Sequence, residues 1–238
     1  MTIDAKGMHF QKLNEQVRES KKTVTINNCC GQRFIAAGQG GKTITINGTV
    51  GNAAGAYLDG AVIKINGNAQ DAIGDTMNEG RIIIHGNVGD AAGYAMRGGK
   101  LFVRGTAGYR AGIHMKQYKD KCPVVIIGEQ AGSFLGEYQA GGLIAVLNLS
   151  NKDYCTGNFT GTGMHGGKIF LRTKNVPKSL PAQVSCNDAT DEDLKELKPH
   201  LAEYCKQFDL NADDILKGKF FVLRPNASNP YKKMYTNN

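Results

Sequence analysis

The chain has 238 residues, of which 31 are glycine and none is tryptophan, and its formal net charge is +8. This much glycine suits a backbone that turns often and tightly. The sequence contains no apolar run long enough for a transmembrane helix, so none is expected. A basic chain can bind nucleic acid, but the aromatic residues here do not interleave with the basic ones as a base-stacking surface requires. We therefore expect neither a nucleic-acid partner nor a membrane partner.

The N-terminal segment, residues 1–22, predicts a short helical element. Phe10, Leu13 and Val17 recur at helical spacing and form a weak apolar stripe. The segment lacks the apolar core of a secretion signal, so the sequence predicts a cytoplasmic protein. Six cysteines are scattered along the chain without a C-x-x-C pair, as expected for reduced thiols in that compartment.

Beyond this segment, glycine recurs at every nineteenth position. Two glycine rows share the period, and a third row follows it with Leu58, Met77, Met96 and Met115. Because three rows agree, the segment is a repeat whose units stack on one another. The glycines predict corners that need a positive φ angle or close contact with the neighbouring coil. The glycine rows are Gly48, Gly67, Gly86 and Gly105, continued by Gly128, and Gly55, Gly74, Gly93 and Gly112, continued by Gly136.

Aliphatic residues two and four places before the first glycine row predict one strand in each repeat. The pair Ile44 and Ile46 is typical, because it alternates with outward polar residues at the period of a β-strand. A repeat this short also leaves no room for a helix and a strand together. Equivalent pairs begin at Val24, Ile63, Ile82, Leu101, Val124, Ile144 and Ile169, which makes eight strands.

These patterns predict an all-β solenoid, a single-stranded right-handed parallel β-helix of about eight rungs with short N-terminal and C-terminal helical caps. Stacking would place each aliphatic residue on its counterpart in the next coil, about 4.8 Å away. Parallel crossovers are almost always right-handed, which sets the predicted hand. The predicted organisation is a helical segment at 1–22, the β-helix at 23–173 and a helical extension with a tail at 174–238.

An apolar stripe is predicted on the outer side of the later strands. The outward positions of the first rungs are mostly threonine and asparagine, but from the fourth rung they become apolar. Apolar area of this extent is rarely left uncovered. Either a C-terminal helix covers the stripe or a partner subunit does, and the helix is preferred because it is near in sequence and has a leucine face. The stripe consists of Ile83, Phe102, Val125, Ile127, Leu147 and Phe170, with Ala145 between them.

An insertion interrupts the repeat between Gly105 and Gly128, whose spacing exceeds the period by four positions. Insertions in solenoids form loops on one face, which is often the binding face. A tolerated surface loop explains the insertion at least as well. If the helix covers the stripe, we expect a partner to meet this basic loop instead. Its lysines are Lys116, Lys119 and Lys121.

The C-terminal extension departs from the repeat. Thr190 predicts the start of a helix that runs to Phe208 and has an acidic first turn. A shorter turn from Asn211 and an extended segment at Phe220–Leu223 follow it. A basic tail, Tyr231–Asn238, ends the sequence.

No pattern in the chain predicts catalysis. The five histidines lack H-x-x-x-H and H-E-x-x-H spacing, and the glycine runs lack the lysine and serine or threonine of a phosphate-binding loop. Acidic residues such as Asp71 and Asp90 recur near the corners, but we expect them to be out of register and not to bind calcium. We therefore expect no catalytic, cofactor-binding or metal-binding residue, and no activity from this chain alone.

The sequence resembles the GXGXG repeat domain that ends the large, or alpha, subunit of glutamate synthase. The resemblance covers nearly the whole chain and looks like the stand-alone form of that domain. It departs at Asn148, which replaces a row glycine, and at a loosely matched insertion in the seventh rung. The matching segments are IDAKGMHFQKLNEQVR, GQRFIAAG, GNAQDAIGDTMNEGRIIIHGNVGDAAGYAMRGGKLFVRG, YRAGIHMKQYKDKCPVVIIG and AGSFLGEYQAGG.

This resemblance implies a non-catalytic structural subunit of a split glutamate synthase-type oxidoreductase complex. It implies a flavin-binding synthase subunit and a glutamine amidotransferase subunit as partners, which together make glutamate from glutamine and 2-oxoglutarate. FMN and an iron–sulfur cluster are expected in those partners and not in this chain. The alternative is a scaffold in another complex, such as the GXGXG subunit of formylmethanofuran dehydrogenase or of an amidotransferase-linked amine-transfer enzyme. A free-standing β-helix lyase or binding module is a third class.

Overall fold

The computed structural model describes residues 1–226, so the predicted tail Tyr231–Asn238 lies outside the described residues. The helices are α1 (Phe10–Glu19), α2 (Asp191–Gln207) and α3 (Ala212–Leu216). The strands are β1 (Thr2–Asp4), β2 (Thr23–Cys30), β3 (Thr43–Thr49), β4 (Asp59–Asn66), β5 (Glu79–Ile84), β6 (Lys100–Val103), β7 (Val124–Ile127), β8 (Ala140–Val146), β9 (Gly166–Arg172), β10 (Val184–Asp188) and β11 (Phe220–Pro225).

The molecule is a parallel β-solenoid of about eight turns, as predicted. One 11-stranded sheet runs along it in the order β1-β2-β3-β4-β5-β6-β7-β8-β9-β11-β10. Residues one sequence period apart pair on neighbouring strands, so that Ile44 pairs with Ile63 and Ile63 with Ile82. These side chains are fully buried in one continuous interior cluster. Stacking of like on like therefore builds the core.

The strand β7 is shifted by one residue relative to the sequence prediction. Val125 and Ile127, which were expected to face outward, lie in the interior cluster, so that expectation is wrong. Val124 and Ile126 take the outward positions instead. Because strand side chains alternate with period two, a shift of one residue exchanges the two faces.

The length of the insertion explains this shift. Val103 pairs with Ile127, so this coil exceeds the repeat by five positions rather than by four. The Gly128 amide donates to the carbonyl of Val103, so Gly128 stands opposite Arg104 and not opposite Gly105. A Cβ on Gly128 would lie 2.2 Å from the Arg104 carbonyl oxygen. Gly128 is therefore a close-packed glycine, but in a different row from the predicted one.

The two glycine rows meet two different needs of the backbone. In the first row, a Cβ on Gly67 would lie 2.2 Å from the carbonyl oxygen of Gly48, so a side chain would separate the coils. In the second row the φ angles lie between +66° and +74°, as at Gly74, where φ is +71°. Glycine adopts this left-handed region without the steric cost that other residues bear. One row provides close contact between coils and the other forms the turn.

A second apolar cluster lies between the outer face of the later strands and α2. Phe102 and Tyr204 pack edge to face with ring centroids 5.7 Å apart, and the Tyr204 hydroxyl donates to the carbonyl oxygen of Val103 at 3.1 Å. The helix thus covers the stripe, which is the arrangement preferred from the sequence. The buried outer residues are Ile83, Phe102, Val124, Ile126, Ala145, Leu147 and Phe170, beneath Leu197, Leu201 and Tyr204.

Two short strands at the ends of the sheet are absent from the sequence prediction. The strand β1 pairs with β2 in parallel at one end. At the other end β11 returns antiparallel to β9, and β10 pairs antiparallel with β11. Neither β1 nor β10 belongs to the periodic rows that identify the other strands.

We predict that Ile65→Asp unfolds the chain, whereas Lys64→Asp leaves it folded. Ile65 is fully buried, while Lys64 faces outward on the same strand. An unpaired charge in the interior costs about 3–5 kcal/mol, which is a large part of the stability of a domain. Thermal melting followed by circular dichroism measures both variants. Equal melting temperatures for the two variants would contradict the inward register.

Candidate functional site

The histidines of the described chain contact aromatic rings and loops, not nucleophiles. His85 meets the Phe208 ring edge-on at 5.1 Å, and His114 stacks on Tyr138 at 5.1 Å. Burial lowers the pKa of His200, which favours its neutral form. Within residues 1–226, no group of three or more His, Cys, Asp or Glu side chains is placed to hold a metal ion.

Burial also keeps the interior thiols unreactive. It raises the pKa of Cys29 and Cys205 to about 11 and that of Cys155 to about 12. Because the thiolate is the nucleophile and the metal ligand, a protonated buried thiol does neither job at neutral pH. Cys155 lies in the interior cluster and Cys205 lies in the cluster beneath α2, so both contribute to packing.

A cleft of about 340 Å³ lies beside α2 and the inserted loop. Gly60, Gly80 and Gly99 contribute to its lining. Two of its basic side chains, Arg81 and Lys100, pair with the same carboxylate, Glu203. Because these charges are paired within the chain, the cleft lacks the convergent free groups expected of an active site.

The inserted loop folds back on the solenoid as a small hairpin. Tyr118 and Lys121 exchange backbone hydrogen bonds, and Lys119 sits at the tip with φ of 56°. The Lys121 ammonium lies 3.1 Å from the Glu79 carboxylate, which ties the loop to the coil below. Lys116 is exposed at the base of the loop. Of the predicted contact residues, these three lysines are therefore open to a partner.

The stripe residues are not open to a partner. Ile83, Phe102, Leu147 and Phe170 lie beneath the helical cap, while Val125 and Ile127 are interior. The row glycines hold the coil geometry. The predicted residues therefore divide into one basic loop at the surface and two sets that stabilise the fold.

Two corner carboxylates are in register, contrary to the sequence prediction. Asp71 accepts a hydrogen bond from the backbone amide of Asp90 at 2.9 Å, and Asp90 accepts one from the amide of Tyr109 at 2.8 Å. Each of these residues follows its neighbour by one full period of the repeat. One carboxylate oxygen of each aspartate thus accepts a hydrogen bond from a backbone amide of the next rung, which links the two rungs.

Asp193 fastens the helical cap to the sheet. Its side chain closes a capping box with Thr190 and pairs with Arg224 of β11 and Lys168 of β9. Burial raises the pKa of Asp193, but the hydrogen bonds from Arg224 and Thr190 outweigh it and hold the pKa well below its usual value of 3.8. The charged carboxylate is therefore the form that holds α2 over the stripe.

We predict that Asp193→Asn lowers the free energy of unfolding at pH 7 by about 1–3 kcal/mol, because it weakens hydrogen bonds to a buried charge. A depressed folded-state pKa contributes stability above the unfolded value and loses it as the pH falls through the folded value. The wild type should therefore lose stability below about pH 4, with a smaller loss in the variant. Urea unfolding from pH 7 to pH 2 measures this, with exposed Asp191→Asn as the control. Parallel pH profiles for wild type and Asp193→Asn would contradict the assignment.

The fold and these contacts define a class of protein, a parallel β-solenoid whose interior is filled by aliphatic side chains. Residues 6–225 match the family model described as GXGXG motif, and the chain belongs to that family. Within residues 1–226, every helix is too short or too polar to cross a bilayer.

Two similar proteins place the chain among known sequences and structures. An uncharacterised protein of Methanocaldococcus jannaschii, MJ1350, is 43% identical over 251 aligned positions, which cover 99% of this chain and 96% of that protein. A chain of the formyltransferase/hydrolase complex (FhcABCD) of Methylorubrum extorquens, solved with methylofuran, has the same fold with a TM-score of 0.66. That likeness has 22% sequence identity and covers 84% of this chain and 71% of the other.

Proposed function

We propose that this chain is a non-catalytic structural subunit of a multi-subunit enzyme complex. The observation that supports this most strongly is the filled interior of the solenoid. Rows of aliphatic side chains occupy the space in which a ligand-binding β-barrel would hold its ligand. Parallel pairing joins each strand to the next from β1 to β9, and β11 and β10 continue the sheet with antiparallel pairing. Such a rod resists bending and can hold two catalytic subunits at a fixed separation.

Two partner sets follow, and a separate observation supports each. The likeness to a chain of a formyltransferase/hydrolase complex favours a scaffold in a formyl-transfer assembly, such as one of the formylmethanofuran dehydrogenase type. The motif resemblance favours a glutamate synthase-type assembly, with an amidotransferase and a flavin-binding synthase. The glutamate synthase resemblance implies that ammonia passes between an amidotransferase site and a flavin site, and a rigid rod would keep the distance between those sites fixed. We propose a cytoplasmic location for either complex.

Purification of the native complex through a tag on the full chain tests this proposal. We expect stoichiometric catalytic subunits to co-purify, and mass spectrometry to identify them. A formyltransferase or hydrolase subunit supports the first set, and an amidotransferase with a flavoprotein supports the second. The tag alone is the control. A chain that purifies without catalytic subunits from cells that express it normally would refute the structural role.

We also predict that the chain purified alone is colourless and binds no flavin or metal. The motivation is the protonated, buried state of its interior thiols and the paired state of the charges in its cleft. Visible absorbance and metal analysis measure this, with the co-purified complex as the comparison. A stoichiometric flavin spectrum or bound iron in the isolated chain would contradict it.

A further inference from the structure

The glycine-turn corner of the solenoid presents a group of rings to solvent. The exposed fraction is 54% at Tyr109, 46% at Phe159 and 38% at Tyr94, which is large for aromatic side chains. Among residues 1–226, α2 covers the outer face of the strands but leaves this corner open. We call these residues the aromatic corner: Tyr94, Tyr109, His114, Phe134, Tyr138 and Phe159.

Five of the six rings of the aromatic corner form two ladders along the rungs. His114 stacks on Tyr138 with an interplanar angle of 9°, and Tyr94 meets His114 edge-on at 5.9 Å. In the second ladder Phe134 stacks on Phe159 at 5.1 Å. The Arg110 guanidinium lies 4.8 Å over the Phe134 ring and bonds the Glu137 carboxylate at 3.0 Å. The corner is therefore ordered before any partner arrives.

Four of these rings stand at turn positions where the backbone is left-handed. His114, Phe134, Tyr138 and Phe159 all have φ between +53° and +62°, a left-handed region that side chains other than glycine disfavour. Equivalent positions in the middle rungs have similar φ but small side chains, as at Ala72. The turn therefore sets the φ angle, and it forms with a small side chain as readily as with a ring.

The equivalence of these positions follows from the hydrogen bonds between rungs. The amides of Ala91, Arg110 and Phe134 each donate to a carbonyl of the following rung in the same way. The amides of His114 and Tyr138, four residues later in the same rungs, donate to the following rung in the same pattern. The change from alanine to aromatic rings thus occurs at one set of structural positions and not through a change of fold.

In the first rung, an aromatic ring at the equivalent corner position packs against another element of the chain. Phe34 has the same left-handed φ, and its amide donates to the carbonyl of Asn52 in the following rung. Its ring lies 6.1 Å from that of Phe10 in α1, and the Arg33 guanidinium lies 4.5 Å over the Phe10 ring. Within the chain, therefore, an aromatic residue at this corner already contacts a second structural element.

The composition of the corner is that of a protein interface. The chain contains 21 lysines, but none lies between residues 65 and 99 or between 122 and 151, which supply Tyr94, Phe134 and Tyr138 of the corner. Aromatic residues and arginine are enriched at interface cores and lysine is depleted. The rungs just before the rings carry Asp71, Asp75 and Asp90, and none of the three pairs with a basic side chain among residues 1–226. These carboxylates repel nucleic-acid phosphates and anionic lipids, so they favour a partner with basic groups.

We propose that the aromatic corner is the docking face for a catalytic subunit, a folded protein that offers aliphatic side chains to the rings and Lys or Arg to the neighbouring carboxylates. This inference rests on the proposed function and names the surface it uses. From the rung of Asp71 to the rung of Phe159 there are four rung spacings, about 19 Å in all. A strip of that length fits within the roughly 800 Å² that each partner buries in a standard interface.

A double variant, Tyr109→Ser with Phe159→Gly, tests the docking face in the tagged full chain. We expect the melting temperature of the isolated chain to change little, because relief of the left-handed φ of 60° at Phe159 offsets the loss of its stacked ring. We expect the recovered amount of the catalytic subunit, identified by mass spectrometry, to fall tenfold or more. The matched control is Tyr154→Ser with Val176→Ser, two exposed side chains outside both the corner and the inserted loop, which should retain the subunit.

A photo-crosslinking residue at position 109 provides a second measurement that does not depend on the stability of a variant. We expect it to crosslink to the catalytic subunit, while the same residue at position 176 does not. Retention of the subunit by the double variant, or crosslinking from 176 alone, would refute the docking face and leave the proposed function standing. A wild-type chain that recovers no catalytic subunit would refute both.

Discussion

The stacking of equivalent residues on consecutive rungs is the interaction on which the rest of this structure depends. Each strand is too short to bury its own aliphatic pair, and only the coils above and below complete the burial. Ile63 lies in register between Ile44 and Ile82, and the glycine corners let the coils approach closely enough for this contact. Any side chain placed at Gly67 would collide with the coil before it. The aliphatic rows and the glycine rows are therefore parts of one constraint, since neither arrangement is stable without the other.

The outward faces of the strands differ between the early and the later rungs. In the early rungs the outward residues are polar, and Asn47 and Asn66 join their amides in a ladder at 2.8 Å. In the later rungs the outward residues are apolar, and α2 covers them. Ion pairs of Asp193 with β9 and β11 hold that helix in position, and so they also maintain its apolar contact with the outer face of the strands. The helical cap thus completes a second core that the solenoid alone could not bury.

The sequence predicted the features that repeat with a constant period, and it failed where the period changed. Four rungs with an unbroken period were enough to predict the strands, the inward face and the glycine corners. The insertion before β7 is one position longer than Gly128 suggested, so Val125 and Ile127 were placed on the wrong face. The aromatic corner was hidden for the same reason, because the spacing from His114 to Tyr138 exceeds the period of the earlier rungs. Only the hydrogen bonds between rungs place those rings in one row.

A scaffold of this kind can change its surface without changing its core. The turn at the corner sets the φ angle, and alanine, arginine and phenylalanine occupy equivalent positions in it with nearly the same value, as Ala91, Arg110 and Phe134 show. The interior rows beneath them keep their aliphatic character throughout. The fold tolerates many side chains at these positions, so it does not itself require rings at the later rungs. Exposed rings cost solubility, and the docking face that we propose would bury them against the partner.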